Sequence, residues 1–196
     1  SYDQTSRVWD LGSMKEIQKF VDQKICSSDA VFSPDGKLLA TASWDKTIKV
    51  RDTETWSVRH KLEGHLNMIT SIDFNADGTL LVSGASNNAV SKADNSVIVW
   101  DMTTGGEKCK ISDHQTGITT VLFDKTNDRI FSSSADGTIK INDHNACNVV
   151  ATYVAIGKDD FMIYTPDNYY LASKNALKGI AFRIDGGLVP FEQFDA

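Results

Sequence analysis

Residues 32–52 read FSPDGKLLATASWDKTIKVRD. An aromatic closes one short apolar run, and a polar turn carrying Asp leads to a second run, LLATAS. Another Asp-bearing turn then opens the alternating stretch TIKVRD. Short runs of apolar alternation set between Gly, Asp and Asn turns are the pattern of antiparallel strands joined by hairpins. The same order returns as FNADGTLLVSGAS at 74–86 and as FDKTNDRIFSSSADGTIKIND at 123–143. A helical period of 3.6 is nowhere sustained, so the chain reads as all-β and internally repeated.

The register of the repeats is fixed by the spacing of single residues. The strand-ending aspartates are Asp10, Asp52, Asp101 and Asp143, at intervals of 42, 49 and 42. Asp3, Asp45, Asp94 and Asp136 each lie six residues before Trp9, Arg51, Trp100 and Asn142. Gln23, His65 and His114 lie nine residues before Phe32, Phe74 and Phe123. Three independent offsets agree across three units.

With Gly64-His65, Trp9-Asp10, Trp100-Asp101 and the pieces DKTIKV and DGTIKI, the chain resembles the WD-repeat β-propeller family. The resemblance is strong from residue 1 to about 155 and weaker beyond. It implies a four-stranded antiparallel blade for each repeat of about 40 residues, arranged around a central channel. About four to four and a half blades are expected, as part of a larger propeller. Residues 1–10 are then the end of a preceding repeat, and 11–52, 53–101 and 102–143 are repeats, the second with an insertion near 87–93. Residues 144–196 form a drifted repeat and tail. An open arc of blades leaves unpaired strand edges, a known route to association.

The resemblance further implies a buried hydrogen-bond chain running through a loop His, a strand Ser or Thr, a turn Asp and a strand Trp. Only one unit carries all four, as His65, Ser83, Asp94 and Trp100. The next supplies His114, Asp136 and Asn142, and the first supplies Gln23, Asp45 and Arg51. In the drifted repeat the matching positions are about Ala155, Leu177 and Arg183, and the chain of partners is lost. The structural logic also stands alone, because a buried carboxylate, imidazole or indole N–H each needs a partner. Ser, His and Asp in one unit imitate a catalytic triad, but a nucleophile needs an exposed oxygen beside a base and an oxyanion site. His144 and Cys147 in DHNAC read as a loop following a strand, not as a thiol dyad. The sequence has no Gly-rich phosphate loop and no HExxH motif. The expectation is a non-enzyme without cofactor or metal.

Composition is ordinary: 41% hydrophobic, 23% charged, net charge −6. That charge argues against nucleic acid or an anionic membrane as main partner. No run approaches the roughly 20 apolar residues of a membrane span. Cys26, Cys109 and Cys147 are odd in number and far apart, and read as free thiols in a reducing, cytoplasmic setting.

Function is expected where the repeats differ. The long interval places seven extra residues within SNNAVSKADNS, in a loop on the face that partners of the resembled family occupy. Tyr2, Trp44, Asn67, Asn87, Asn88 and Lys92, in or beside such loops, are candidate contacts for a protein or peptide partner. Trp44 is an aromatic anchor candidate. The reading is a protein-interaction scaffold. The wording YTPDNYYLAS, then PFEQFD, is similar to the propeller end of bacterial WD-repeat proteins that carry a caspase-like peptidase, and implies a regulatory propeller whose catalytic domain lies outside this chain. A ligand-binding or enzymatic propeller is a third reading, requiring polar residues that converge on the channel.

Overall fold

The computed structural model describes residues 3–21, 25–86, 94–126, 129–179, 181–184 and 187–190, with backbone alone from 178 onward. Tyr2, Gln23, Asn87, Asn88 and Lys92 lie outside the described residues, as does the insertion 87–93. Among the described residues the chain is all-β apart from one 3-10 turn at Ala176–Gly179.

A two-stranded hairpin comes first, β1 (Ser6–Asp10) with β2 (Lys15–Phe20). Sheet one follows as β3 (Ser27–Phe32), β4 (Leu38–Ser43), β5 (Thr47–Asp52) and β6 (Val58–Glu63), each strand antiparallel to the one before. Sheet two repeats that order as β7 (Met68–Phe74), β8 (Leu80–Ser86), β9 (Val97–Asp101) and β10 (Glu107–Ile111). Sheet three opens likewise with β11 (Ile118–Phe123), β12 (Arg129–Ser134), β13 (Thr138–Asp143) and β14 (Asn148–Ile156). The turns are built from the repeated Asp residues. Asp35 and Asp77 take the N–H groups of Lys37 and Thr79, and the following glycines, Gly36 and Gly78, sit at φ of +72° and +73°.

Sheets pack through their first strands, β7 lying against β3 and β4, and β11 against β7 and β8. One core joins Ala40, Ile48, Val50 and Leu62 of sheet one to Ile72, Phe74, Leu81 and Trp100 of sheet two. A second joins Val82, Val97 and Val99 to Ile118, Val121, Phe123 and Ile130. Polar ties cross the same seams: Asp29 accepts the Ile72 N–H at 2.9 Å, and Asp73 accepts the Phe123 N–H at 2.8 Å. Gly84 marks a close approach, since a Cβ there would lie 2.5 Å from Ile118 Cγ2.

The drifted repeat departs from the expected separate blade. β15 (Asp160–Tyr164) pairs with β14, and β16 (Tyr170–Ala172) pairs with β15, so sheet three has six strands. Between sheets one and two, and between sheets two and three, a loop carrying His65 or His114 takes the chain from a fourth strand to the next sheet. Here the matching position is Ala155, inside the long strand β14, and Gly157 at φ +66° turns the chain straight back as a hairpin. β17 (Ala181–Ile184) and β18 (Gly187–Pro190) form their own two-stranded sheet.

The cysteines also differ from expectation. Cys109, on β10, is bonded to Cys147, in the turn between β13 and β14, with Cα atoms 5.6 Å apart; Cys26 is free. The pairing joins neighbouring sheets, an adjacency that a separation of 38 residues does not disclose. The cytoplasmic expectation loses the support it drew from free thiols.

Candidate functional site

The Ser, His and Asp groups that imitate a triad form a tie between strands. In sheet two the Trp100 indole N–H donates to Ser83 Oγ at 2.8 Å, and Ser83 Oγ lies 2.8 Å from His65 Nε2. His65 Nδ1 then meets Asp94 Oδ2 at 3.1 Å. The carboxylate can only accept, so Nδ1 carries the proton and Nε2 accepts the serine proton. The chain of donors runs from indole to hydroxyl to imidazole to carboxylate. Asp94 also accepts the Leu66 N–H at 2.6 Å and the Ser96 hydroxyl, with Lys110 Nζ 3.7 Å away. The His65 and Asp94 side chains are only 0% and 3% exposed, so no substrate carbonyl can reach this serine.

Sheet three carries the same chain with a different first member. Asn142 Nδ2 donates to Ser132 Oγ at 3.0 Å, Ser132 Oγ sits 2.9 Å from His114 Nε2, and His114 Nδ1 is 3.1 Å from Asp136 Oδ2. From the sequence alone only the second unit shows a full set. Ser132 was missed, although it stands nine residues after Phe123 as Ser83 does after Phe74. In sheet one, buried Arg51 donates from Nη1 to Thr41 Oγ1 at 2.9 Å, with its guanidinium 4.2 Å over the Phe20 ring. Asp45 there accepts the Thr47 hydroxyl at 2.7 Å. The position six residues after the turn Asp therefore calls for a side-chain N–H donor, which Trp, Asn or Arg can supply.

These environments set the protonation states. Burial works to raise the pKa of Asp94, but hydrogen bonds from His65, Ser96 and the Leu66 N–H outweigh it and hold the carboxyl well below the usual range. Asp136 is lowered in the same way against burial, by bonds from Thr138 and the Gln115 N–H. Burial pushes His114 below the usual histidine value, and the Asp136 hydrogen bond only partly opposes it. The unfolded chain therefore binds the His114 proton before the folded chain does. Stability from this group is complete above about pH 6.5 and is lost as pH falls toward the folded value. A further loss is expected below about pH 3.9 from Asp94 and Asp136. Urea unfolding between pH 8 and 3 should show both declines, and His114→Gln should flatten the upper one. Equal stability of the parent chain at pH 7 and pH 5 would contradict this assignment.

The loop face is where the first strand of each sheet begins and the second ends. There the Trp44 N–H bonds to the Cys26 carbonyl at 3.0 Å, the Ala135 N–H to Gly117 at 3.1 Å, and Asn95 Nδ2 to the His114 carbonyl at 3.5 Å. Trp44 is half-buried. Asn67 does not suit the partner-contact role read from the sequence. It is buried, and its side-chain oxygen accepts the Asp94 N–H at 2.8 Å, so it braces the turn. Its neighbour Leu66 is 65% exposed on this rim. No spacing or motif in the sequence singles it out. The opposite rim gathers Asp35, Lys37, Arg59, Asp77 and Thr79 around a shallow depression.

The other candidate dyad is not one. The His144 ring packs edge-on to Phe123 with centroids 6.0 Å apart, and Cys147 Sγ is bonded to Cys109. Among the described residues, no group of three His, Cys, Asp or Glu is placed to hold a metal ion.

The family described as "WD domain, G-beta repeat" matches residues 15–52, 56–101 and 105–143. Among curated proteins, Protein HIR1 of Candida albicans is 31% identical over 76% of this chain and 19% of its own length. Transcriptional corepressor LEUNIG_HOMOLOG of Arabidopsis thaliana is 29% identical over 90% of this chain and 21% of its own length. COMPASS component SWD3 of Saccharomyces cerevisiae is 32% identical over 59% of this chain and 35% of its own length. The chain thus spans about a fifth to a third of the relatives it matches.

Proposed function

The chain belongs to the WD-repeat family, and from that premise we propose that it is a non-catalytic scaffold capturing a protein or peptide partner on the loop rim around Trp44 and Leu66. One observation carries the reading: the Ser, His and Asp groups that imitate a triad are engaged in the buried ties, while the rim presents an aromatic and an exposed leucine. The names of two relatives, a COMPASS component and a transcriptional corepressor, fit a chain that works through other proteins. The net charge of −6 favours a protein partner over nucleic acid or an anionic surface. The resemblance of the last repeat to a peptidase-bearing propeller end gains no support from these relatives.

Truncating a buried interface anchor typically costs about 2 kcal/mol, or about 30-fold in affinity. Trp44→Ala combined with Leu66→Ser should therefore lower partner capture by about that factor. The melting temperature should barely change, because Leu66 is exposed and Trp44 half-buried. Quantitative co-purification of the tagged chain and its variants measures this. Lys37→Glu, Thr79→Ala and Arg129→Ala on the opposite rim should be silent. Capture that survives the first change and fails with the second set would move the binding face to the other rim.

A further inference from the structure

Four turns of this chain hold a residue in the left-handed region at the same place. It stands four residues after the aspartate that ends β1, β5, β9 or β13: Met14, Trp56, Gly105 and Cys147, at φ of 56°, 59°, 73° and 55°. In two seams between sheets this residue lies against the fourth strand of the preceding sheet. Gly105 sits under the His60 ring of β6, so close that a Cβ would lie 2.5 Å from His60 Nδ1. Cys147 meets Cys109 of β10 with Cα atoms 5.6 Å apart, a usual span for a disulfide. His60 and Cys109 are themselves equivalent, each eight residues after a strand-ending aspartate. One junction is thus closed by contact and its repeat by a covalent bond.

The pair of junctions separates what the bond does from what the fold requires. Between sheets one and two the junction holds through His60 Nε2, which donates to the Met102 carbonyl at 3.0 Å, and neither His60 nor Gly105 can form a covalent link. Between sheets two and three non-covalent contacts stand beside the bond. Lys108 Nζ lies 3.4 Å from His144 Nδ1 and 3.5 Å from Asn145 Oδ1, and the His144 ring packs on Phe123. The second core and the tie from Asp73 to the Phe123 N–H hold the same seam further in. The seam therefore closes without help from the sulfurs. The two cysteines also differ in access: Cys109 is 3% exposed within the second core, and Cys147 belongs to the exposed run 145–148.

We propose that Cys109–Cys147 is a reversible thiol–disulfide latch, a site at which a dithiol reductant frees the β13–β14 turn from β10 without unfolding the sheets. One thiolate of the reductant attacks Cys147 Sγ, on the exposed side of the pair, and a mixed disulfide forms. The bond to Cys109 breaks, and Cys109 leaves as a thiolate that takes up a proton. The second thiol of the reductant then displaces Cys147 as a thiolate, which is protonated in turn, and the reductant departs as its own cyclic disulfide. Two electrons and two protons pass to the protein, and the reverse exchange closes the latch. Cys26 stands apart, at the loop face where its carbonyl takes the Trp44 N–H.

Thiol labelling and hydrogen exchange of the whole chain test this together. After equilibration in air and denaturation, only Cys26 should react with an alkylating agent, and mass spectrometry should find residues 109 and 147 in one linked peptide. Under native conditions dithiothreitol should make both cysteines reactive, and glutathione with an early acid quench should leave its mixed disulfide on Cys147. Amide exchange in β10 and over residues 145–149 should rise by at least about 10-fold on reduction, as for a segment that opens locally, with β8 unchanged. Cys147→Gly, which copies Gly105, should fold and show the faster exchange with or without dithiothreitol. Three reactive cysteines after air oxidation would overturn the proposal, as would a mixed disulfide on Cys109. So would a bond that yields only once the chain is unfolded, or exchange that rises equally in β8.

Discussion

Trp100→Ala is expected to destabilise the fold by about 3–5 kcal/mol, the range for truncating a buried large aromatic. The side chain is 2% exposed within the seam between sheets one and two, beside Ile98, Leu81 and Met102. It is also the first donor in the chain to Ser83. The two contributions separate with Trp100→Phe, which keeps most of the ring and removes the N–H. That variant should cost about 1–3 kcal/mol, the penalty for leaving Ser83 short of its donor and opening a small void. Chemical denaturation of both variants checks the split. Equal losses would mean that the indole N–H carries nearly all of the effect.

Asp94→Ala should destabilise by about 3–5 kcal/mol, comparable with breaking other buried charged networks. The carboxylate gathers His65 Nδ1, the Leu66 N–H and the Ser96 hydroxyl in a nearly closed site. Its removal strands all three without water to replace it. Asp136→Ala should cost less, because the Asp136 side chain is 9% exposed against 3% for Asp94 and water can reach the orphaned groups. Reversal of that order would place the main tie in sheet three.

Much of the fold was legible because the strands repeat at fixed offsets. Asp52, Asp101 and Asp143 end equivalent strands, and the alternation between the turns gives their faces. Reading by residue type fell short where chemistry, not identity, is repeated. Arg51 and Asn142 look like losses of tryptophan, yet each delivers an N–H to the hydroxyl beside it. Asn67, expected on the binding surface, is buried against the Asp94 N–H, while its neighbour Leu66 is exposed. The Cys109–Cys147 pairing depends on which sheets lie side by side, and strand periodicity carries no such information. The drifted repeat kept its strand pattern but not its His loop, so its first two strands continued an existing sheet.

The central claim is that the Ser, His and Asp groups are a structural tie fed by the strand donor, with function left to the rim. Hydrogen exchange of the Trp100 indole N–H tests it most directly. With Ser83 as acceptor and the ring closed in the seam, that proton should exchange only through global unfolding, at a rate set by the full stability of the fold. Exchange at the rate of a free indole would mean that Ser83 is open to other partners, and the tie would have to be abandoned.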